Sequence, residues 1–396
     1  MGHIDPMTKG SDTKSRQVLV LQGGGALGAY QAGVYETMHG EALEPDWVAG
    51  ISIGAINAAL IAGNTPEQRV ERLRAFWEKV SSELLGIAPA DDGPARRWFN
   101  EIAASTVATI GAPGFFRPHN FFAPSADALL QTISMYDTSP LRETLLELVD
   151  FDMLNDGPMK VSLGAVNVLT GNFCWFDNRE QRLEPEHVMA SGALPPGFPP
   201  VIIEGQPYWD GGLVSNTPLQ HVIDTAERCD MTIYQVDLFH SRGELPRDLS
   251  QVLQREKDIR YSSRTRYNTD AAQQLEELRL AAARLCEKLP DELRDDPDLR
   301  ALTQAEPPGV MRVMHLINRR EPHQSFSKDY EFSRATVNDH WSGGAADMAL
   351  SLDHPMWTER DMEHRGIIAY DCTNPDGARM RGPDGVQLYA ENKAAE

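Results

Sequence analysis

Three short motifs hold the residue types that nucleophilic acyl chemistry needs. Ser52 lies at the centre of Gly50-Ile51-Ser52-Ile53-Gly54, the GxSxG pattern in which small flanking residues let the chain turn sharply and lift a hydroxyl into solvent at a helix start. Such a serine attacks a carbonyl carbon when a base takes its proton and fixed donors hold the oxyanion that forms. Gly23-Gly24-Gly25-Ala26-Leu27-Gly28 supplies a run of backbone amides able to point at one spot. Asp210-Gly211-Gly212 supplies a carboxylate beside two glycines. An aspartate within about 3 Å of a serine hydroxyl works as general base when partial burial raises its pKa.

The elements around these motifs bring them together. Residues 17–21 form a short apolar run, as expected of a strand covered on both faces, and Leu27, Tyr30, Val34 and Met38 follow at helical spacing. Residues 47–51 read as a second strand, after which Ile53, Ile56, Leu60 and Ile61 resume the helical period. Strand, helix, strand, helix implies an α/β fold with parallel pairing and right-handed crossovers, so both glycine turns fall at the carboxyl ends of their strands. Further strands are expected at 159–168, 173–176, 231–239 and 310–317, with a hairpin over 201–209 that turns around Gly205 and a helix at 66–80. Segment 111–124 breaks regular structure with Phe115, Phe116, Phe121 and Phe122. These rings read as core under a long loop, with a lid or lipid-facing lip as the other reading. Residues 250–289 are charged and helical, and Leu275, Leu278, Ala282, Leu285 and Leu289 form a two-heptad seam. Packing on its own domain is the expectation for that seam, and a homodimer contact is the alternative. A composition shift near 241–247 divides a catalytic domain, 16–240, from an extension rich in helix, 241–396, packed upon it.

Composition narrows the partners. With 37 Lys and Arg against 58 Asp and Glu among 396 residues, the formal charge is −21, which disfavours nucleic acid and electrostatic docking on anionic membranes. Apolar insertion is the route left for peripheral membrane contact. Cys174, Cys229, Cys286 and Cys372 are too widely spaced for a disulfide framework or a zinc site, which suits reduced thiols in the cytoplasm. Residues 1–15 lack the apolar core of a secretion signal and, with a second methionine at Met7, read as a disordered N-terminus or an expression remnant. Residues 47–66 carry no charge but hold Gly50, Ser52, Gly54, Asn57, Gly63 and Asn64, so they read as buried strand plus helix and not as a membrane span.

Rival chemistries fit less well. Gly23, Gly25 and Gly28 also satisfy GxGxxG, the dinucleotide fingerprint of an oxidoreductase, but that site needs an acidic residue at the end of the next strand. Glu44 and Asp46 precede that strand, and Ser52 occupies its end. His221, His240 and His315 follow Asp210 in the order of a Ser-Asp-His triad, yet none adjoins a motif. Asp295, Asp296 and Asp298 lack the alternating calcium-loop pattern. No metal or cofactor is expected, and a lipid-binding scaffold with an idle dyad is the non-enzymatic alternative.

The elbow, the glycine loop and the DGG motif, with 190–200 (ASGALPPGFPP) ahead of the last, resemble the patatin-like phospholipase family over residues 16–240. The resemblance implies a three-layer α/β/α sandwich with a mainly parallel sheet. It also implies a lipid acyl hydrolase of esterase or phospholipase A type, acting on a phospholipid or a neutral acyl ester without cofactor. Ser52 is then the nucleophile and Asp210 the base. Gly24 and Gly25, within the run Gly23–Gly25, supply the oxyanion donors, and Gly28, Gly50, Gly54, Gly211 and Gly212 support the turns. Many members carry Arg or Lys where Leu27 stands, so the phospholipid reading is weaker here. The tail, with Phe332-Ser333-Arg334-Ala335-Thr336 and His340-Trp341, is similar to an extension in some bacterial members.

Overall fold

The computed structural model describes residues 15–81, 94–119, 132–225, 229–286, 288–290, 297–298, 309–319, 328–363, 366–382 and 385–388. The N-terminal segment 1–14, Phe121, Phe122, Asp295 and Asp296 lie outside them.

The sequence period sets the first units. β1 (Arg16–Leu21) feeds a 3-10 turn at Gly25–Gly28 and helix α1 (Ala29–Gly40); β2 (Trp47–Ile51) feeds α2 (Ile53–Ala62), and α3 (Pro66–Val80) follows. All five residues of β2 are buried, the signature of a strand covered on both faces. β3 (Arg117–Pro118) and β4 (Tyr136–Asp137) form a separate antiparallel pair. β5 (Lys160–Asn167), β9 (Met231–Asp237), β10 (Val310–Ile317) and β11 (Gly366–Asp371) complete a parallel centre in the order β11-β10-β9-β1-β2-β5. β6 (Phe173–Asp177), β7 (Val201–Ile203) and β8 (Gln206–Asp210) pair antiparallel on the β5 side, and β12 (Arg379–Gly382) and β13 (Gly385–Leu388) do so beyond β11.

Side-chain alternation along β1 separates two cores. Leu19 and Leu21 face a large cluster built with α1, α2 and α3, while Val18 and Val20 face a smaller one with Trp47, Leu219, Val222 and Ile233. A helical layer on each face makes the three-layer sandwich.

The composition shift at 241–247 does not separate two sheets. β10 pairs with β9 in parallel, and β11 with β10, so strands from the extension continue the sheet begun at residue 16. The helix Arg334–Asp353 crosses α1 so closely that a Cβ on Gly33 would lie 1.9 Å from the Trp341 carbonyl oxygen, and one on Gly344 1.9 Å from that of Tyr30. β11, β12 and β13 carry no period-2 signal strong enough to read from sequence.

Two sequence expectations resolve differently. Phe115 and Phe116 are buried and pack on Phe198, with Phe115 also meeting Phe76 and Phe332, so these two rings fill core. The leucine seam does not pack inward: Leu275, Leu278 and Leu285 are exposed on the helix Leu249–Cys286. That helix presents a different face to the sheet, with Leu280 Cδ1 3.4 Å from the Cβ position of Gly366, which turns the seam outward. Among the described residues no helix is long and apolar enough to cross a membrane.

Candidate active site

Parallel register fixes where the motifs meet. Leu21 lies opposite Gly50 on one side and Val236 on the other, so the segments after β1, β2 and β9 emerge at one sheet edge. β8 runs antiparallel beside β5 with Asp210 opposite Ala165, and this delivers the DGG motif to the same place.

Ser52 occupies the turn from β2 to α2 with φ 57° and ψ −125°. A non-glycine residue in such a region stores roughly 1–3 kcal/mol of strain and persists only where its surroundings enforce it. The enforcement is visible. Ser52 N donates to Ser191 Oγ at 3.0 Å, and the fully buried Ser191 hydroxyl donates in turn to the Gly164 carbonyl at 2.6 Å. Gly50 and Gly54 allow the tight turn, since a Cβ on either would stand 2.3 Å from a backbone oxygen.

Asp210 is 2% exposed and accepts from Gly212 N at 2.7 Å. Burial pushes its pKa up to about 7, against the pull of the nearby Ser52 hydroxyl and of the Gly212 amide.

The glycine loop crosses above the serine. A Cβ on Gly23 would lie 2.9 Å from Ser52 Cβ. Gly23 N, however, donates to the Asn216 carbonyl at 3.3 Å, and Asn216 Nδ2 returns a bond to the Gly23 carbonyl at 2.9 Å. The expected oxyanion run is corrected accordingly: Gly23 anchors the loop, and the amides of Gly24 and Gly25 are the ones that no acceptor takes among the described residues. Gly25 has φ +56°, and a Cβ there would come within 2.2 Å of the Asp329 carbonyl oxygen, so the extension braces the loop directly. Two crossed ion pairs hold that brace, Lys257–Asp329 and Lys328–Asp258, each at 2.7 Å.

The chain matches the Patatin family model, described as patatin-like phospholipase, over residues 19–223, and a second model, described as patatin phospholipase, over 259–364. The chain belongs to the patatin-like phospholipase family. Family membership places this patatin-like chain among lipid acyl hydrolases. Among solved structures it is similar to VipD from Legionella pneumophila, with 13% identity and a TM-score of 0.38 over 86% of this chain and 67% of that one. No curated protein matches it.

The rival residues of this patatin-like chain sit elsewhere. His221 stacks on Trp175 and meets Trp47 edge-on, at the end of β2 away from Ser52, and burial pushes its pKa down to about 4. His315 lies on β10 and His240 bonds the Arg242 carbonyl, so neither accompanies Asp210. Glu44 is held by Arg69, Tyr35 and His39, and Asp46 accepts from Gln17 N at the amino end of β1, far from a dinucleotide's ribose position. Leu27 is fully buried, so its side chain is core and faces no substrate.

Sequence reasoning missed Gln22. Its Oε1 accepts from Leu238 N and from Phe239 N at 3.1 Å, and its Nε2 donates to Thr217 Oγ1 and the Tyr261 carbonyl, both at 3.2 Å. An amide directly after an apolar strand and before the glycines was the available signal.

Ser191→Ala would leave the Ser52 amide and the Gly164 carbonyl unpaired in the interior. The expected cost is about 1–3 kcal/mol of stability, measured by denaturant unfolding. Asp237, at the end of β9, is a second buried carboxyl whose pKa burial raises to about 7. Its folded pKa exceeds its unfolded one, so the folded state binds the extra proton and stability falls as pH rises from about 4 to about 7. Asp237→Asn is expected to stabilise the protein by roughly 2–4 kcal/mol at pH 8 and hardly at all at pH 4, as read by calorimetry.

Proposed function

We propose that this chain hydrolyses carboxylic esters of lipids by a Ser52–Asp210 dyad. The observation that carries the reading is a strained serine near a buried carboxyl whose pKa burial raises to about 7, beside two amides that have no acceptor among the described residues. Ser52 Oγ attacks the ester carbonyl as Asp210 takes its proton, and the Gly24 and Gly25 amides hold the tetrahedral oxyanion. Collapse breaks the ester bond, the departing alcohol takes the proton from Asp210, and an acyl-enzyme remains. Water then attacks with Asp210 again accepting the proton, the carboxylic acid leaves, and Ser52 recovers its hydrogen.

The test is hydrolysis of a nitrophenyl ester series from short to long acyl chains, alongside phospholipid and neutral glyceride substrates. Turnover together with fluorophosphonate labelling at Ser52 supports the mechanism, and the preferred chain length sizes the acyl site. Lipid binding without turnover or labelling would replace it with the scaffold reading.

A further inference from the structure

A cavity of about 1020 Å³ opens at the carboxyl ends of β9, β10 and β11, across β9 from the oxyanion loop. Phe239 is the partition: it lines the cavity, its Cε2 stands 3.2 Å from the Cβ position of Gly24, and its ring packs on Tyr261 at 5.0 Å. We propose that this cavity is a second binding site, for a phosphate ester, with Arg255 as its principal anchor.

The cavity gathers arginines. In a chain of formal charge −21, six arginines line one cavity: Arg242, Arg247, Arg255, Arg319, Arg379 and Arg381. Seven carboxylates line it too, and three of them pair with four of these arginines. Asp371 is taken by Arg319, Glu244 by Arg247, and Asp376 is shared between Arg242 and Arg379. Of the other acids that line it, Asp258 is neutralised by Lys328, Asp248 accepts from Gln251 N, and Asp237 is 5% exposed and bonded by Gln235; Glu101 lies at the rim. Among the described residues Arg255 has no carboxylate partner. One of its terminal nitrogens donates to the Ser241 carbonyl at 2.5 Å, and the other, the buried Nη1, has no hydrogen-bond partner among them.

Chemistry and place point to the same ligand. A guanidinium with an unused donor fits the oxygens of a phosphate in fixed geometry. The volume stands at the upper end of ligand sites and far exceeds a bare phosphate, so the phosphate is carried on a larger polar body. In an open α/β sheet, ligands bind outside the carboxyl ends of the strands, and this cavity lies at the carboxyl ends of β9, β10 and β11.

The test is calorimetric titration of the full chain carrying Ser52→Ala, so that binding is read without turnover and independently of the dyad. Glycerol 3-phosphate and lysophosphatidylglycerol are the phosphate-bearing probes, and glycerol and monoacylglycerol their uncharged counterparts. Binding of either phosphate probe that Arg255→Ala weakens at least tenfold supports the site. A preference for glycerol 3-phosphate marks a soluble phosphate ester as its source, and a preference for the lysolipid marks a lipid head group. Arg379→Ala, at another residue of the lining, provides a second variant if Arg255→Ala fails to fold. No binding of either probe, or equal binding in parent and variants, overturns the proposal.

Discussion

Ser52→Ala is expected to lower kcat/KM for an acyl ester by at least about 10⁴-fold, because members of a nucleophile–base unit act together and removing the nucleophile removes the covalent route. The loss is chemical and not architectural. Ser52 N still donates to Ser191 Oγ, Gly50 and Gly54 still make the turn, and alanine inherits a φ of 57° that serine already bears at similar cost. One contact does change: Asp210 loses the hydroxyl donor that opposes the effect of its burial and keeps only Gly212 N. The variant should unfold at a denaturant midpoint close to the parent's and take no fluorophosphonate label. Turnover retained in a folded Ser52→Ala protein would sink the dyad. Gly25→Ala is a weaker companion, since it meets the Asp329 carbonyl and perturbs one of two donors; loss of a single oxyanion donor costs about 10²–10³-fold.

The parts of this site that were legible in the sequence are those whose chemistry is local. Gly50, Ser52 and Gly54 declare a turn between two periodic segments, and the glycine run after β1 declares a backbone free of Cβ atoms. Asp210 was legible only in company, because an aspartate before two glycines is ordinarily a turn. What escaped depends on contacts across hundreds of residues. Gln22 knits the end of β9 to the helix Leu249–Cys286, Asn216 takes the Gly23 amide, and Asp329 reaches the loop from the extension. None of these residues advertises its partner in its own neighbourhood. The same limit explains the leucine seam: spacing reveals an apolar stripe, but which face the helix turns to the sheet is decided by Leu280 against Gly366. Strands β12 and β13 add to the sheet edge through backbone pairing, which requires no side-chain alternation.

The second large effect is a pH dependence with opposite signs for activity and stability. Asp210 must be ionised to take the proton from Ser52, and burial raises its pKa to about 7. kcat/KM is therefore expected to rise with pH through 7 and level off above it, with the value at pH 5 about 100-fold below the plateau, since about 1% of the carboxyl is then ionised. Asp210→Asn should remove this limb and leave about 10³–10⁴-fold less activity, flat across the range. Stability runs the other way. The folded state favours the protonated carboxyl, so the contribution of Asp210 is most favourable below the unfolded pKa and is lost as pH climbs towards 7. At pH 8 the parent is fully active while it holds a charged, desolvated carboxylate; Asp210→Asn should be inactive there and more resistant to denaturant than the parent. A variant that is inactive and also less stable at pH 8 would show that the Ser52 and Gly212 bonds outweigh desolvation, and would place the working pKa of Asp210 below 7. The pH–rate profile of the parent, measured on a short soluble ester, decides between these two balances.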